Sequence, residues 1–515
     1  MKPITAFGAL VFYAATAIVG LTVSAAATDP HKGGTLAIAF DPEPASLDPI
    51  FGVSPGKDRM IFRQVFENLF IQNVDGTLAP QLAKSWEIAA DGLSITFKLR
   101  EGVTFHDGVP FDAEAVKFNL DRVTDPANKA RVRSAVSDIK STEVLDPGTV
   151  RINFVAPSGV VLSGLANEAG MMSSPSAVKT KGRSYARNPV GTGPFKFVEW
   201  RGGDRLVVTR NETYWGKDEA GRPLPYLDGV ETRFIANPAV KLVELRAGNV
   251  HIVDLVPAKD AEQVRALPDV ELVGSNIGSA QYASFNLTKP PFDNIELRKA
   301  VALAVDRTLL DKVVSRGQGT VVPTFEPASS WAFPMDVSGH QTDIAGAKSA
   351  YEKSGHKGPI TISVIQREPD SLIAQVLQSQ LAAAGIQLKI DILERQAWFD
   401  KVLKYDYEMA LQRATTPRAD PDMSFGYYYG REAGANYAGI KNEEIFSLVE
   451  AARKATNLDE RKKDYSKIQE IVLDQYYQTF FSWRANLEAV SRKVQGSSRE
   501  LSGALSFEKA SLVEP

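Results

Sequence analysis

The chain has 515 residues, with 59 Lys or Arg against 62 Asp or Glu, a formal charge of −3 and no cysteine. No run of Lys/Arg exceeds three residues and no basic stripe interleaves with aromatics, so nucleic-acid binding is not expected. Without cysteine there is no disulfide, thiol catalysis, Cys-zinc or iron–sulfur chemistry, nor lipid anchoring through an N-terminal Cys, and a chain this long needs two or three domains.

Lys2 is the only charge before Asp29. The apolar stretch Phe7 to Val23 ends in Ser24, Ala25, Ala26 and Ala27, the pattern of a secretory signal cleaved near Ala27. An uncleaved membrane anchor is the alternative. Against it stand the Ala/Thr/Gly-rich composition, the small-residue exit and the lack of a following basic cluster. An exported chain with no lipid anchor fits a Gram-negative periplasm.

Leu93, Ile95, Phe97 and Leu99 alternate with polar residues as a half-buried strand. Asp75-Gly76, Asp91-Gly92 and Asp107-Gly108 punctuate this region as hairpin turns. Asp112 can cap a helix whose Val116, Leu120 and Val123 share a face. Further on, Ile360, Ile362 and Val364 predict a strand. Leu372, Ile373, Val376, Leu377 and Leu381 predict a helix with Asp370 as cap and Gly385 past its end, and Ile386 to Ile392 a second strand. This βαβ unit implies a parallel pair. Tyr465, Ile468, Ile471 and Val472 mark a last helix starting near Asn457 or Asp459. No flexible linker separates these regions, as when neighbouring domains exchange strands.

Catalytic groups are sparse. The five histidines (His31, His106, His251, His340, His356) are scattered, with no metal-ligand spacing. Ser176-Ala-Val-Lys179 matches the Ser-x-x-Lys of exported acyl-enzymes but lacks a Lys-Thr-Gly partner, and Gly191-Thr192-Gly193 reads as a tight turn rather than a phosphate loop. No enzyme activity, cofactor or metal is expected.

From Val65 onward ordered motifs accumulate: Val65-Phe66-Glu67-Asn68-Leu69, Pro80 to Glu87, Leu99 to Gly108, Asn188 to Phe195, Asn211-Glu212-Thr213-Tyr214-Trp215 and Pro225 to Gly229. Pro291-Phe292-Asp293, Leu297-Arg298-Lys299-Ala300, Ala304-Val305-Asp306-Arg307 and Ala419-Asp420-Pro421-Asp422 follow. Together they resemble the dipeptide/oligopeptide/nickel family of ABC-importer solute-binding proteins. The resemblance implies an α/β, two-lobed periplasmic-binding-protein fold with an extra domain and a two-strand hinge near Phe285 and Arg484. It divides the chain into a signal peptide (1–27), lobe one (28–50, 188–285 and 487–515), an extra domain packed on it (51–187) and lobe two (286–486). It also implies a monomer that captures a small peptide-like, opine-like or other anionic solute by lobe closure and delivers it to an inner-membrane ABC permease. A metallophore or nickel-chelate carrier of the same family, and an exported serine hydrolase using Ser176 and Lys179, are the competing readings.

In peptide binders of the family an Asp four residues ahead of the motif proline holds the ligand's α-ammonium; here that position is Pro417. Arg413, Thr415, Thr416 and Arg418 instead offer donors suited to carboxylate or phosphate, or arginines that simply face solvent. Trp398 falls where the family places an aromatic wall for the ligand, a core Trp being the alternative. Arg367 lies near a carboxylate-binding arginine of dipeptide binders. Tyr282, Asn286 and Asp41 are further cleft candidates by position.

Overall fold

A computed structural model describes residues 30–52, 57–416, 418, 420–501 and 503–513. The expected signal segment and Pro417 lie outside the described residues.

One sheet of 11 strands organises the molecule. Its middle is a pair of long antiparallel strands, Val270–Phe285 and Gln478–Ser491, here called the first and second crossing strands. Beyond the first lie Met409–Thr416, Ile360–Ile365 and Leu388–Leu393 in that order. Beyond the second lie Ile252–Val253, Thr35–Phe40, Gly229–Phe234, Arg205–Arg210 and Phe195–Arg201. The crossing strands thus join two flanks, as a two-lobed fold requires. Their mutual register shifts between Gly274 and Gly278, opposite Leu487 and Ala485. Arg484 of the second strand lies beside this shift, and Phe285 closes the first strand further along. At Gly278 the two chains touch so closely that a Cβ there would lie 2.0 Å from the Arg484 carbonyl oxygen.

The predicted βαβ unit forms as read: Ile360–Ile365 and Leu388–Leu393 pair in parallel around the helix Asp370–Ala383, whose Ile373, Leu377 and Leu381 are buried. Asp370 does not cap that helix. It occupies the first turn and pairs with Arg367 at 2.7 Å.

A four-stranded antiparallel sheet (Ala83–Ile88, Ser94–Leu99, Thr149–Phe154, Ile139–Asp146) stands apart from the large one. Of the three Asp-Gly pairs, Asp91-Gly92 turns the first hairpin of this sheet, Asp75-Gly76 turns the separate hairpin Phe70–Gln72/Leu78–Pro80, and Asp107-Gly108 lies inside the bridge between Thr104 and Pro110. The glycines take φ of +86, +69 and +83 (Gly76, Gly92, Gly108), and Asp75, Asp91 and Asp107 each accept a backbone N–H two residues on. Asp112 caps the helix Ala113–Thr124 through the Ala115 N–H at 2.9 Å. Phe62, Phe66, Phe97, Val116 and Leu120 join Leu36 and Ile38 of the large sheet in one continuous apolar core. The four-stranded sheet and that flank of the large sheet therefore share one core.

The family motifs are structural. Glu67 accepts from Tyr214 Oη at 2.9 Å and Trp215 Nε1 at 3.0 Å, so two distant motifs close on each other. Burial lifts the Glu67 carboxyl to about 7 against those bonds. Asp420 takes both ends of the Arg461 guanidinium, at 2.6 and 2.8 Å, in a buried pair. Asp306 caps the helix Arg307–Ser315, and Arg307 donates to the Phe480 carbonyl at 2.7 Å. His106 sits against the Gly193 carbonyl at 3.0 Å, its pKa pushed down to about 4 by burial. Gly191 and Gly193 pack on the Val65 carbonyl, which leaves no phosphate cradle.

Candidate ligand-binding cleft

The strand Met409–Thr416 carries the sequence-predicted donors, and its alternation sorts them. Gln412, Ala414 and Thr416 are buried, whereas Arg413 and Thr415 are exposed. Across the ladder Arg413 faces Gln281 and Thr415 faces Ser279; Ser279 in turn faces Arg484 of the second crossing strand. Paired residues of an antiparallel ladder project to the same face, so Arg413, Thr415, Gln281 and Arg484 share one surface. Arg367 and Asp370 approach this surface from the turn before the helix Asp370–Ala383, and Arg395 from the start of the helix Arg395–Leu403.

The surface is electropositive. The Arg413 pKa is drawn down first by desolvation, then by the charges of Arg367, Arg484 and Arg395, with Asp370 opposing. Arg484 is drawn down by burial, with Asp311 and Asp370 opposing. Arg367 has its carboxylate in Asp370. Among the described residues Arg395, Arg413 and Arg484 form no ion pair within 4.0 Å. Such a set of guanidiniums can take up a carboxylate or phosphate in fork geometry.

Thr416, Tyr282 and Arg418 belong elsewhere. Thr416 Oγ1 donates to the Phe325 carbonyl at 2.7 Å and accepts from Trp483 Nε1 at 3.2 Å. The Tyr282 ring, buried, lies 5.2 Å from that of Phe480. Arg418 rests its guanidinium 5.3 Å from the Tyr427 ring, donates to the Met423 carbonyl at 3.0 Å, and its charge is felt by Tyr282, Tyr428 and Glu326. Arg413 and Arg418 therefore have different surroundings: Arg413 stands on the exposed face of the strand, and Arg418, beyond its end, lies against Tyr427.

Two further candidates are spent on structure. Trp398 is only 2% exposed, with its indole N–H on the Ser363 carbonyl at 3.2 Å and its ring among Ile365, Val402 and Tyr407. The ring is thus packed as a core residue. The Asn286 amide donates to the carbonyls of Tyr405 and Tyr407 and accepts from Thr288, so no polar atom is left for a ligand. On the other flank the Asp41 backbone is anchored: its N–H donates to Asp254 at 3.2 Å and its carbonyl accepts from Lys57.

Sequence reading placed Arg484 at the hinge but not among the donors of this surface, and it did not single out Gln281 or Arg395. The available signal was a charge directly following the apolar-rich run Phe480-Phe481-Ser482-Trp483 and an amide between Ala280 and Tyr282. Ser176 and Lys179 are both exposed on the short helix Pro175–Lys181, with the Lys179 amine 5.1 Å from the Phe118 ring. No group of three or more His, Asp or Glu suited to a metal occurs among the described residues. A crevice of about 410 Å³ lined by Thr288, Asp293, Arg298 and Lys441 shares no residue with the arginine surface.

Residues 77–436 match the family model of bacterial extracellular solute-binding proteins, family 5. A glutathione-binding protein of Salmonella paratyphi A is 29% identical over 468 residues, covering 88% of this chain and 90% of that protein. One from Pectobacterium atrosepticum is 28% identical over 96% of this chain and 97% of its own. Among solved structures, the periplasmic binding protein DppA of Helicobacter pylori in complex with peptide STSA has a TM-score of 0.73 at 26% identity, covering 94% of this chain and 99% of that one. The binding protein AgaA of A. tumefaciens in complex with agropinic acid has a TM-score of 0.71 at 27% identity, with the same coverage.

Proposed function

Because the chain belongs to family 5 of the bacterial extracellular solute-binding proteins, the substrate-binding components of ABC importers, we propose that it is a periplasmic receptor for an anionic, peptide-like solute. Arg413 is the principal anion contact. Two lobes, 28–50 with 188–285 and 487–515 against 286–486, close over the solute. Residues 51–187 ride on the first lobe. The monomer then presents its cargo to an inner-membrane permease. The export signal ending near Ala27 and the absence of cysteine support delivery to the periplasm without a lipid anchor. No chemical step is required of it; micromolar binding needs only about 8 kcal/mol.

One observation carries the reading: Arg413 is exposed, has no carboxylate partner among the described residues, and stands among three other guanidiniums. A like-charged cluster of this kind is unfavourable until an anion joins it. The relatives support the choice, since glutathione, the peptide STSA and agropinic acid all carry carboxyl groups. Pro417 supports the other half of the reading: simple dipeptides, which need a carboxylate for their ammonium, are poor ligands.

The test is calorimetric titration of the mature protein with small carboxylate-bearing solutes, beside the same solutes amidated. Arg413→Gln is expected to weaken carboxylate binding about 10- to 100-fold, the worth of one charge-assisted hydrogen bond. Unchanged affinity in Arg413→Gln, or tight binding across a simple dipeptide panel, would sink the reading.

A further inference from the structure

We infer that Arg484 and Gln281 form a second anion subsite on the crossing strands, so that the preferred solute carries two acidic groups, one on Arg413 and one on Arg484. The inference rests on the reading of Arg413 as a ligand contact and deepens it.

Gln281 is 1% exposed, yet neither its amide nitrogen nor its amide oxygen has a hydrogen-bond partner. The Arg484 Nε is equally buried and equally without an acceptor. Buried polar groups are almost always satisfied, and leaving several unpaired on one patch is costly. These groups are neighbours by register: Gln281 is opposite Arg413 on one side, and Ser279, two residues away on the same face, is opposite Arg484 on the other. The unpartnered Gln281 amide and Arg484 Nε therefore lie buried within the sheet beside Arg413.

Charge gives the class of solute. Arg367, Arg395, Arg413 and Arg484 bring four positive charges, and Asp311 and Asp370 bring two negative ones, among the groups that act on this surface. Guanidiniums outnumber carboxylates among these groups, and Arg413 and Arg484 have no ion partner within 4.0 Å among the described residues, so each is open to one acidic group of the solute. The acids of one solute are held by carboxylate or phosphate oxygens accepting from the guanidiniums, with the Gln281 amide donating to one of them.

Position adds a consequence. Arg484 adjoins the register shift at Gly274–Gly278, and its own carbonyl is the atom that a Cβ at Gly278 would strike. An acid bound at Arg484 thus pulls directly on the segment where the two flanks join. Occupancy by a two-acid solute is then coupled to the relative position of the lobes.

The test uses the full mature chain and glutathione, which has two carboxylates, with its glycine-amidated form and a phosphorylated monocarboxylate as companions. Binding is read by calorimetry in the parent, Arg413→Gln, Arg484→Gln and Arg484→Lys, with circular dichroism to confirm folding. The parent is expected to prefer a two-acid probe over the mono-amide by at least 10-fold. Arg484→Gln should erase that preference while leaving mono-amide binding within about 3-fold, whereas Arg413→Gln weakens all probes; Arg484→Lys retains part of the preference. Whether the carboxylate or the phosphate probe binds better tells which acid the second subsite takes. Equal binding of one-acid and two-acid probes by the parent, or an equal loss for both in Arg484→Gln, overturns the subsite and leaves the Arg413 reading standing. No binding of any acidic probe overturns both.

Discussion

Glu326 offers a quantitative check on the physics of the aromatic flank. It follows Phe325, whose ring packs within 5.1 to 6.3 Å of Phe425, Tyr428, Tyr429 and Phe480. The side chain is 0% exposed and neither carboxylate oxygen reaches hydrogen-bond geometry. Burial lifts its pKa to about 7; Ser330 and Arg418 pull weakly the other way and Asp420 adds to the rise. An unfolded glutamate ionises near 4.5, so between about 4.5 and 7 the folded state holds a proton that the unfolded state has released. Stability from this group is therefore fully present below about 4.5 and is lost as pH rises through about 7. Moving a carboxyl from about 4.5 to about 7 corresponds to about 3 kcal/mol. Glu326→Gln keeps the shape and cannot ionise. Chemical denaturation of parent and variant at pH 5 and pH 8 reads the difference, and comparing the two cancels Glu67, which titrates in the same window. The variant should be more stable than the parent at pH 8 by up to about 3 kcal/mol and by no more than about 1 kcal/mol at pH 5. An advantage that does not change with pH, or a variant less stable at pH 8, would refute the reasoning.

Gly278→Val places a side chain on the Arg484 carbonyl, 2.0 Å from the ideal Cβ, and should cost at least about 2 kcal/mol in thermal unfolding, with altered ligand-induced compaction in small-angle scattering. Arg461→Leu leaves buried Asp420 without its ion partner, keeping only the bond from the Asp422 N–H, and should cost about 3–5 kcal/mol, most of it recovered when Asp420→Asn is added. Trp398→Phe should lower stability by about 1–3 kcal/mol through the lost Ser363 bond and poorer packing, yet leave solute affinity unchanged; a large affinity loss would restore the aromatic-wall role.

Local chemistry made much of the fold legible. The period-two run at Ile95, Phe97 and Leu99, the Asp-Gly turns and the βαβ unit are each dictated by residues within a few positions of one another, and the structure bears them out. Asp370 does not act as the cap because the helix begins at Asp370 itself, one residue later than a cap would stand, and its carboxylate accepts from Arg367 at 2.7 Å. The site was legible only in part. Arg413 and Thr415 could be singled out, but which face they share depends on the register against strands about 130 and 70 residues away in sequence, which no local pattern encodes. Arg484 and Gln281 escaped as donors of this surface for the same reason: each looks like an ordinary strand residue until the ladder sets it beside Arg413. Trp398 and Asn286 show the converse, because their identity suggested a ligand while long-range packing and backbone bonds consume them.

The measurement that bears most directly on the central claim is mass spectrometry of the solute released by denaturing protein purified from the periplasm. The arginine surface predicts a small, peptide-like molecule with two acidic groups at near one equivalent per chain. A neutral or cationic solute held at that ratio would contradict it.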